Sequence, residues 1–342
     1  MSARLWTRSV FAVLRGIRWR KLLDPAAVRM AWRIESEAAR WILRRGKPDV
    51  ILHFLGGLGD ELLLTCVARE LRRRNPSVRI WQIGHAAELL QSNPDYALVL
   101  DSSHWALRHS NLLVRWRLVL RYSEMPGPGR EIPPREHILA VLCRKAGITG
   151  SVELRPWYHF RPSERTSGQV APRQIAIQSV GRNTHETWMA NKCWYHERFQ
   201  TVVDAIRDRW PGVVVVQVGV ADDPPLRGVY DLRGKTTLRQ TAAILANSLC
   251  FIGTSGLLVH LARAVECRSV VIYGGREHAW QSGYSCNENL ETHLPCAPCW
   301  LWNDCDYGRE CMRRISAEAV VTAVGRALSR TGEPLVVDKA EL

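Results

Sequence analysis

Val50-Ile51-Leu52-His53-Phe54-Leu55-Gly56-Gly57-Leu58-Gly59-Asp60-Glu61 is the stretch on which the fold turns. Five mostly apolar residues read as a buried strand. The glycines let the backbone turn sharply and let another group approach it closely. After the turn, Leu62, Leu63, Val67, Ala68 and Leu71 recur at helical spacing. Outward from there, Val78 to Ile83 and Leu98 to Leu100 read as further strands. Strand, glycine turn, helix, strand at this spacing predicts a parallel sheet with helical crossovers. Asp60 falls at the start of the helix, where an aspartate commonly caps the free N–H groups. The glycine spacing does not make a dinucleotide fingerprint, because a third glycine and an acid ending the next strand are both missing.

The alternation restarts after a segment rich in Pro, Ser and Gly at 161–173, which reads as an interdomain linker. Ile175 to Ile177, Val213 to Val218, Cys250 to Ile252 and Ser269 to Tyr273 are strand patterns. Helical patterns at 196–209, 238–246 and 259–265 lie between them. The expected fold is therefore α/β, two doubly wound Rossmann-like domains facing a central cleft. Ligands of such sheets sit beyond the carboxyl ends of the strands. The boundaries read as a basic, Trp-containing arm over 1–48, a first domain over 49–165, a second over 172–325 with a cysteine-rich part at 286–311, and a tail over 326–342. Residues 123–135, with Met125-Pro126-Gly127-Pro128-Gly129 and Pro133-Pro134, read as a loop near the cleft.

The chain has 342 residues and a formal net charge of +14. Residues 1–50 hold twelve Lys or Arg against four Asp or Glu, with Trp6, Trp19, Trp32 and Trp41 interleaved. Arg4 and Arg8 resemble the start of a signal peptide, but Arg15, Arg18, Arg20 and Lys21 leave no adequate apolar core behind them. The composition suits peripheral docking on an anionic membrane face, and it equally suits a solvated arm packed on its own protein. No motif points to nucleic acid, and no segment reads as a transmembrane helix. The expected location is the cytoplasm, with contact to the inner membrane face through 1–48.

Two segments of the second half carry candidate ligand contacts. Lys192, in Lys192-Cys193-Trp194, could neutralise a phosphate as a point charge. Gly253-Thr254-Ser255-Gly256 precedes a helix that carries His260, and small residues there offer N–H groups to an anion. Each residue also has a plain reading, a surface lysine and a packing histidine. Cys66, Cys143, Cys193, Cys250 and Cys267 read as reduced core thiols. Cys296-Ala297-Pro298-Cys299 with Cys305 and Cys311 is competent for a structural zinc or iron, with free thiols the alternative.

Taken in order, these segments resemble glycosyltransferase family 9, the heptosyltransferase-like enzymes of GT-B fold. The likeness rests on Gly59-Asp60-Glu61-Leu62-Leu63-Leu64-Thr65 with Arg69-Glu70-Leu71-Arg72, and on Ala87-Glu88-Leu89-Leu90 with Asn93-Pro94-Asp95. It continues through Lys192-Cys193-Trp194, Asp231-Leu232-Arg233-Gly234-Lys235, His260-Leu261-Ala262, Val271-Ile272-Tyr273-Gly274-Gly275 and the Cys296/Cys299 element. The resemblance implies inverting transfer of a heptose-like or other hexose sugar, without a metal or other cofactor in the chemistry. The donor would be a nucleotide-sugar and the acceptor a glycan or a lipid-linked, lipopolysaccharide-type molecule. It implies Asp60 as general base, with Gly57 and Gly59 on the acceptor side. Thr187, Lys192, Thr254, Ser255, Gly256 and His260 would take the donor. One departure matters. The family usually carries an acid in the loop before this His, and Ser255 or Thr254 stands there instead. That leaves heptose open as the sugar and motivates the alternative, a non-catalytic sugar-nucleotide binder or scaffold. His278, Gln281, Tyr284, Asn287 and Glu288 read as polar loop residues facing the cleft.

Overall fold

A computed structural model describes residues 25–54, 56–101, 112–179 and 189–342. Helix α1, Pro25–Arg45, leads into strand β1, Val50–Phe54. Then follow α2 (Leu58–Arg74), β2 (Ile80–Gly84), α3 (Ala87–Leu90), β3 (Leu98–Asp101) and β4 (Arg117–Leu120). These strands form a parallel sheet in the order β3-β2-β1-β4. β1 is central, which is why Ile51, Leu52 and Phe54 are buried and why its pattern is a continuous apolar run rather than an alternation.

The segment 123–135 is not a plain loop. It forms a hairpin, β5 (Glu124–Gly127) with β6 (Arg130–Ile132). Its proline and glycine content hides the pairing, because Pro126 and Pro128 fit at an edge and in a turn but not in a central strand. Helix α4 (Ile138–Lys145) and strand β7 (Ser151–Glu153) complete the first lobe.

The second lobe runs β8 (Gln174–Ile177), α5 (His196–Arg209), β9 (Val214–Gln217), β10 (Tyr230–Asp231), α6 (Leu238–Ala246), β11 (Phe251–Thr254), α7 (Leu257–Ala264) and β12 (Ser269–Gly274). It closes with α8 (Ala279–Ser282), β13 (Glu288–Glu291), α9 (Glu310–Arg313) and α10 (Ala317–Ser329). Its sheet is parallel, in the order β10-β9-β8-β11-β12-β13. On one face, Phe199, Val202, Val203 and Ile206 of α5 pack with Val320, Val321 and Val324 of α10. Their spacing puts them on one stripe of each helix, and each full burial stabilises by about 1.5–3 kcal/mol. A charge at Val203 would break this layer.

The chain then returns to the first lobe. Strand β14 (Lys339–Glu341) pairs antiparallel with β7, Ala340 opposite Val152. The lobes also meet directly, α2 against α7. A Cβ on Gly59 would come within 3.3 Å of Leu257 Cα, so a larger residue there would fit only if the two helices gave by a few tenths of an ångström. The β5–β6 hairpin reaches the second lobe through Glu131 N to Trp300 O, 3.2 Å, and Trp302 N to Gly129 O, 2.9 Å.

Candidate functional site between the lobes

Asp60 sits in the first turn of α2, one turn past the glycine bend. Its Oδ2 accepts from Gly57 N at 2.8 Å, so it does fasten the helix start, as an aspartate at that place commonly does. Its Oδ1 accepts from the Tyr122 hydroxyl at 2.7 Å. Burial pushes the Asp60 carboxyl above its ordinary value. The hydrogen bonds from Tyr122 and Gly57 and the charge of Lys192 oppose that rise, and Glu131 adds to it. Asp60 is thus both a cap and a carboxylate within the field of the second lobe's Lys192. Burial and the neighbouring Asp60 and Glu131 hold the Tyr122 phenol well above its usual range, so it remains a donor.

Across from Asp60 lies a group that the sequence reading passed over. Glu277 is buried at the loop after β12. Its Oε1 accepts from Lys192 Nζ at 2.7 Å and from Ser255 Oγ at 2.5 Å, and its Oε2 accepts from Ser282 Oγ at 3.0 Å. Burial alone would raise its carboxyl. The charges of Lys192 and Arg276, with hydrogen bonds from Lys192 and Ser255, outweigh burial and hold it well below its ordinary value. The absent acid of the 254–256 loop therefore has a counterpart in space, brought from another loop. The signal was available: Gly274-Gly275-Arg276-Glu277 follows a buried strand just as the glycines before Asp60 follow β1.

A second charged group backs the first. Arg276 donates to Glu131 Oε1 at 3.1 Å, which also accepts from Trp302 Nε1 at 2.7 Å. Arg276 lies 5.1 Å from the centre of the Trp300 ring, and Tyr122 meets the same ring edge-on at 6.2 Å. Residues from β6, from the turns just after β4 and β12, and from the cysteine segment are thus knitted around Asp60 and Glu277.

The other predicted residues are distributed as follows. Thr254 and Ser255 are buried at the end of β11, and Gly256 precedes α7. His260 is buried with Nδ1 2.8 Å from the Tyr284 hydroxyl, and burial pushes its pKa down to about 3, so it is neutral. Thr187 lies outside the described residues. Among the polar residues expected in a cleft-facing loop, Gln281, Tyr284 and Asn287 are buried in the protein instead. Gln281 accepts from Trp300 Nε1 and donates to Pro134 O, and Asn287 accepts from Ser269 N. Polarity in this segment serves internal hydrogen bonding, which a linear reading does not distinguish from exposure.

Cys296, Cys299, Cys305 and Cys311 line one cavity of about 450 Å³, together with Arg130, Glu131, Asn191, Gly275 and Arg276. Cys305 Sγ accepts from Arg309 N at 3.3 Å. Cys286, near them in sequence, is instead buried in the main core. The cysteine segment also carries Lys192. Asn191 donates to Leu301 O and Asp304 O, and Ala190 N donates to Asn303 Oδ1.

Two facing doubly wound lobes with the site between them define a GT-B fold. The model of glycosyltransferase family 9 (heptosyltransferase) matches residues 180–305. The chain thus resembles that family, the one indicated by its motifs. Among curated proteins, lipopolysaccharide heptosyltransferase 3 of Escherichia coli is 28% identical over 124 residues, covering 32% of this chain. The chain spans only 33% of that relative's length. Among solved structures, E. coli ADP-heptose lps heptosyltransferase II aligns with TM-score 0.59 and 14% identity, over 82% of this chain and 99% of that one. The iron-containing dodecameric glycosyltransferase TibC of enterotoxigenic E. coli gives 0.62 and 16%, over 82% and 76%. These likenesses establish the fold.

Proposed function

We propose that this chain is an inverting glycosyltransferase that moves a heptose-like or other hexose sugar from a nucleotide-sugar to a glycan or lipopolysaccharide-type acceptor. The observation that carries this reading is the Asp60 carboxylate of one lobe lying in the field of Lys192 of the other. Asp60 takes the proton of the acceptor hydroxyl. The freed oxygen attacks the anomeric carbon from the side opposite the diphosphate. A new C–O bond forms as the bond to the diphosphate oxygen breaks. Lys192, with N–H groups of the 254–256 loop, offsets the charge that grows on the leaving diphosphate. Tyr122 keeps Asp60 aimed, and Glu277 keeps Lys192 and Ser255 in place.

The four cysteines suit a structural zinc or iron. All four line one cavity and a backbone N–H already points at one sulfur, but no three of their sulfurs lie within 4.8 Å of one another, so a metal there would have to draw the segment together. The likeness to TibC, an iron-containing heptosyltransferase seen in complex with ADP-D-beta-D-heptose, supports iron and supports ADP-heptose as the first donor to try. Such a metal would fix the segment behind Lys192 and takes no part in the transfer step.

Contact with a membrane is a further part of this reading. No helix among the described residues is long and apolar enough to cross one. Val28, Trp32 and Leu43 of α1 are exposed, and Arg29, Arg33, Arg40 and Arg44 lie beside them. This pattern supports docking on the inner, anionic face from the cytoplasm.

The test is release of ADP from ADP-heptose with a truncated lipopolysaccharide acceptor. Transfer by the natural chain that is lost in Asp60→Asn supports the reading, and full activity in that variant overturns the base assignment. Binding of sugar nucleotides without transfer to any acceptor would favour the non-catalytic binder, the reading that the missing loop acid motivates.

A further inference from the structure

His278, Glu291 and His293 lie outside the transfer chemistry and outside the thiol cavity. One ligand atom from each falls within 4.8 Å of the other two, a grouping found among the described residues. The His278 and His293 rings are 4.9 Å apart at 76°. Glu291 Oε1 is 3.4 Å from His293 Nε2, while Glu291 Oε2 is occupied by Ala279 N at 2.7 Å. An ion pair between His293 and Glu291 explains two of the three residues. It leaves His278 unexplained, since that side chain is 5% exposed and its Nε2 has no hydrogen-bond partner. A buried ring nitrogen without a protein partner is open to a water or an ion, and here two further ligand atoms lie beside it.

We propose that these three residues form a binding site for a divalent transition ion of the zinc type. Two imidazoles and a carboxylate suit Zn²⁺ or Co²⁺, and three protein ligands leave a position for water. Magnesium and calcium prefer an all-oxygen shell. Tetrahedral bonds of about 2.0–2.1 Å put ligand atoms roughly 3.3 Å apart, which the Glu291–His293 pair already meets. Glu291 ends β13 and His293 lies two residues beyond it, with the two side chains already in contact. His278 comes from the N-terminus of α8. Glu291's bond to Ala279 N gives the carboxylate the outer-shell support that metal ligands usually have. The ion would clip the end of β13 to the residue that follows Glu277. His293, with its side chain 72% exposed, provides the entry path.

This site is independent of the proposed transfer activity. The test uses the full chain, stripped with a chelator and loaded with Co²⁺, then with Zn²⁺. Imidazole- and carboxylate-bound cobalt gives weak visible bands without the near-ultraviolet thiolate charge-transfer band that cysteine sites give. The natural chain should hold about one more Co²⁺ than His293→Ala. That extra ion should carry the nitrogen–oxygen spectrum and should persist in a Cys299→Ser/Cys305→Ser chain. His293→Ala is a surface change, and melting without metal should match the natural chain. Glu291→Gln should weaken Co²⁺ binding by about tenfold or more. Equal stoichiometry and spectrum in the natural chain and His293→Ala would overturn the site, as would a cobalt spectrum due wholly to thiolates.

Discussion

Ser255 Oγ donates to Glu277 Oε1 over 2.5 Å, joining a loop whose acid is missing to a carboxylate twenty-two positions away. That carboxylate also neutralises Lys192. Glu277→Gln preserves the shape and removes the charge, leaving Lys192 and Arg276 less compensated. Stability should fall by roughly 1–3 kcal/mol. The sign with pH follows from the depressed carboxyl of Glu277. Its contribution is present above the ordinary glutamate value of about 4.3 and fades as pH falls towards the depressed one. The gap in melting temperature between the natural chain and the variant should therefore shrink in acid. A gap independent of pH would show that the charge is not what matters.

Asp60→Asn should reduce kcat by about 10²–10⁴ with the melting curve still cooperative. Because burial raises the Asp60 carboxyl, the base is lost on acidification at a higher pH than an ordinary aspartate, about 3.9. The acid limb of kcat/KM should lie above that value. Tyr122→Phe removes a hydrogen bond that lowers the Asp60 pKa, so the limb should move further up in pH. A pH–rate profile of the variant that overlays the natural one would separate Tyr122 from the base.

Much of this was legible in the chain itself. Both sheets follow from continuous apolar runs, and the glycines after a buried strand single out Asp60, but pattern alone makes Asp60 a cap and Lys192 a surface lysine; the roles proposed for both rest on the family resemblance. Glu277 carries the same local signal as Asp60, glycines after a buried strand, but its link to Ser255 and Lys192, distant in sequence, is made only by the fold. The β5–β6 hairpin escaped because proline and glycine mask an edge pairing. Gln281 and Asn287 read as exposed because a polar residue satisfied inside the protein looks the same in sequence as one in solvent.

Lys192 and the hairpin that carries Glu131 both lean on residues 300–304. If a metal gathers the cysteines, its removal should loosen both. Elemental analysis of the purified chain should find bound zinc or iron. Cys299→Ser or a strong chelator should lower the melting temperature and weaken donor binding together. A chain free of metal as isolated, with chelator leaving the melt unchanged, would return the thiols to plain packing.

Trp32 is 74% exposed and Leu43 84%, and helical spacing sets Arg29, Arg33, Arg40 and Arg44 on the adjoining strip of α1. Trp32→Glu with Leu43→Glu should reduce sedimentation with phosphatidylglycerol vesicles. Binding of the natural chain should weaken with salt, since each basic side chain near such a surface contributes about 1 kcal/mol that ions screen. Equal sedimentation of the two forms would assign the helix face to another role.

The ribbon of β14 on β7 has a consequence for how the molecule assembles. The partner of β7 is made only when residues 339–341 emerge, after the whole second lobe. The early lobe thus completes its hydrogen bonding last, and its final closure waits on the folding of everything between. Two chain crossings rather than one also tether the halves. A rotation of one lobe against the other would have to bend both connections at once, so the doubled tether resists twist between the lobes that carry Asp60 and Lys192.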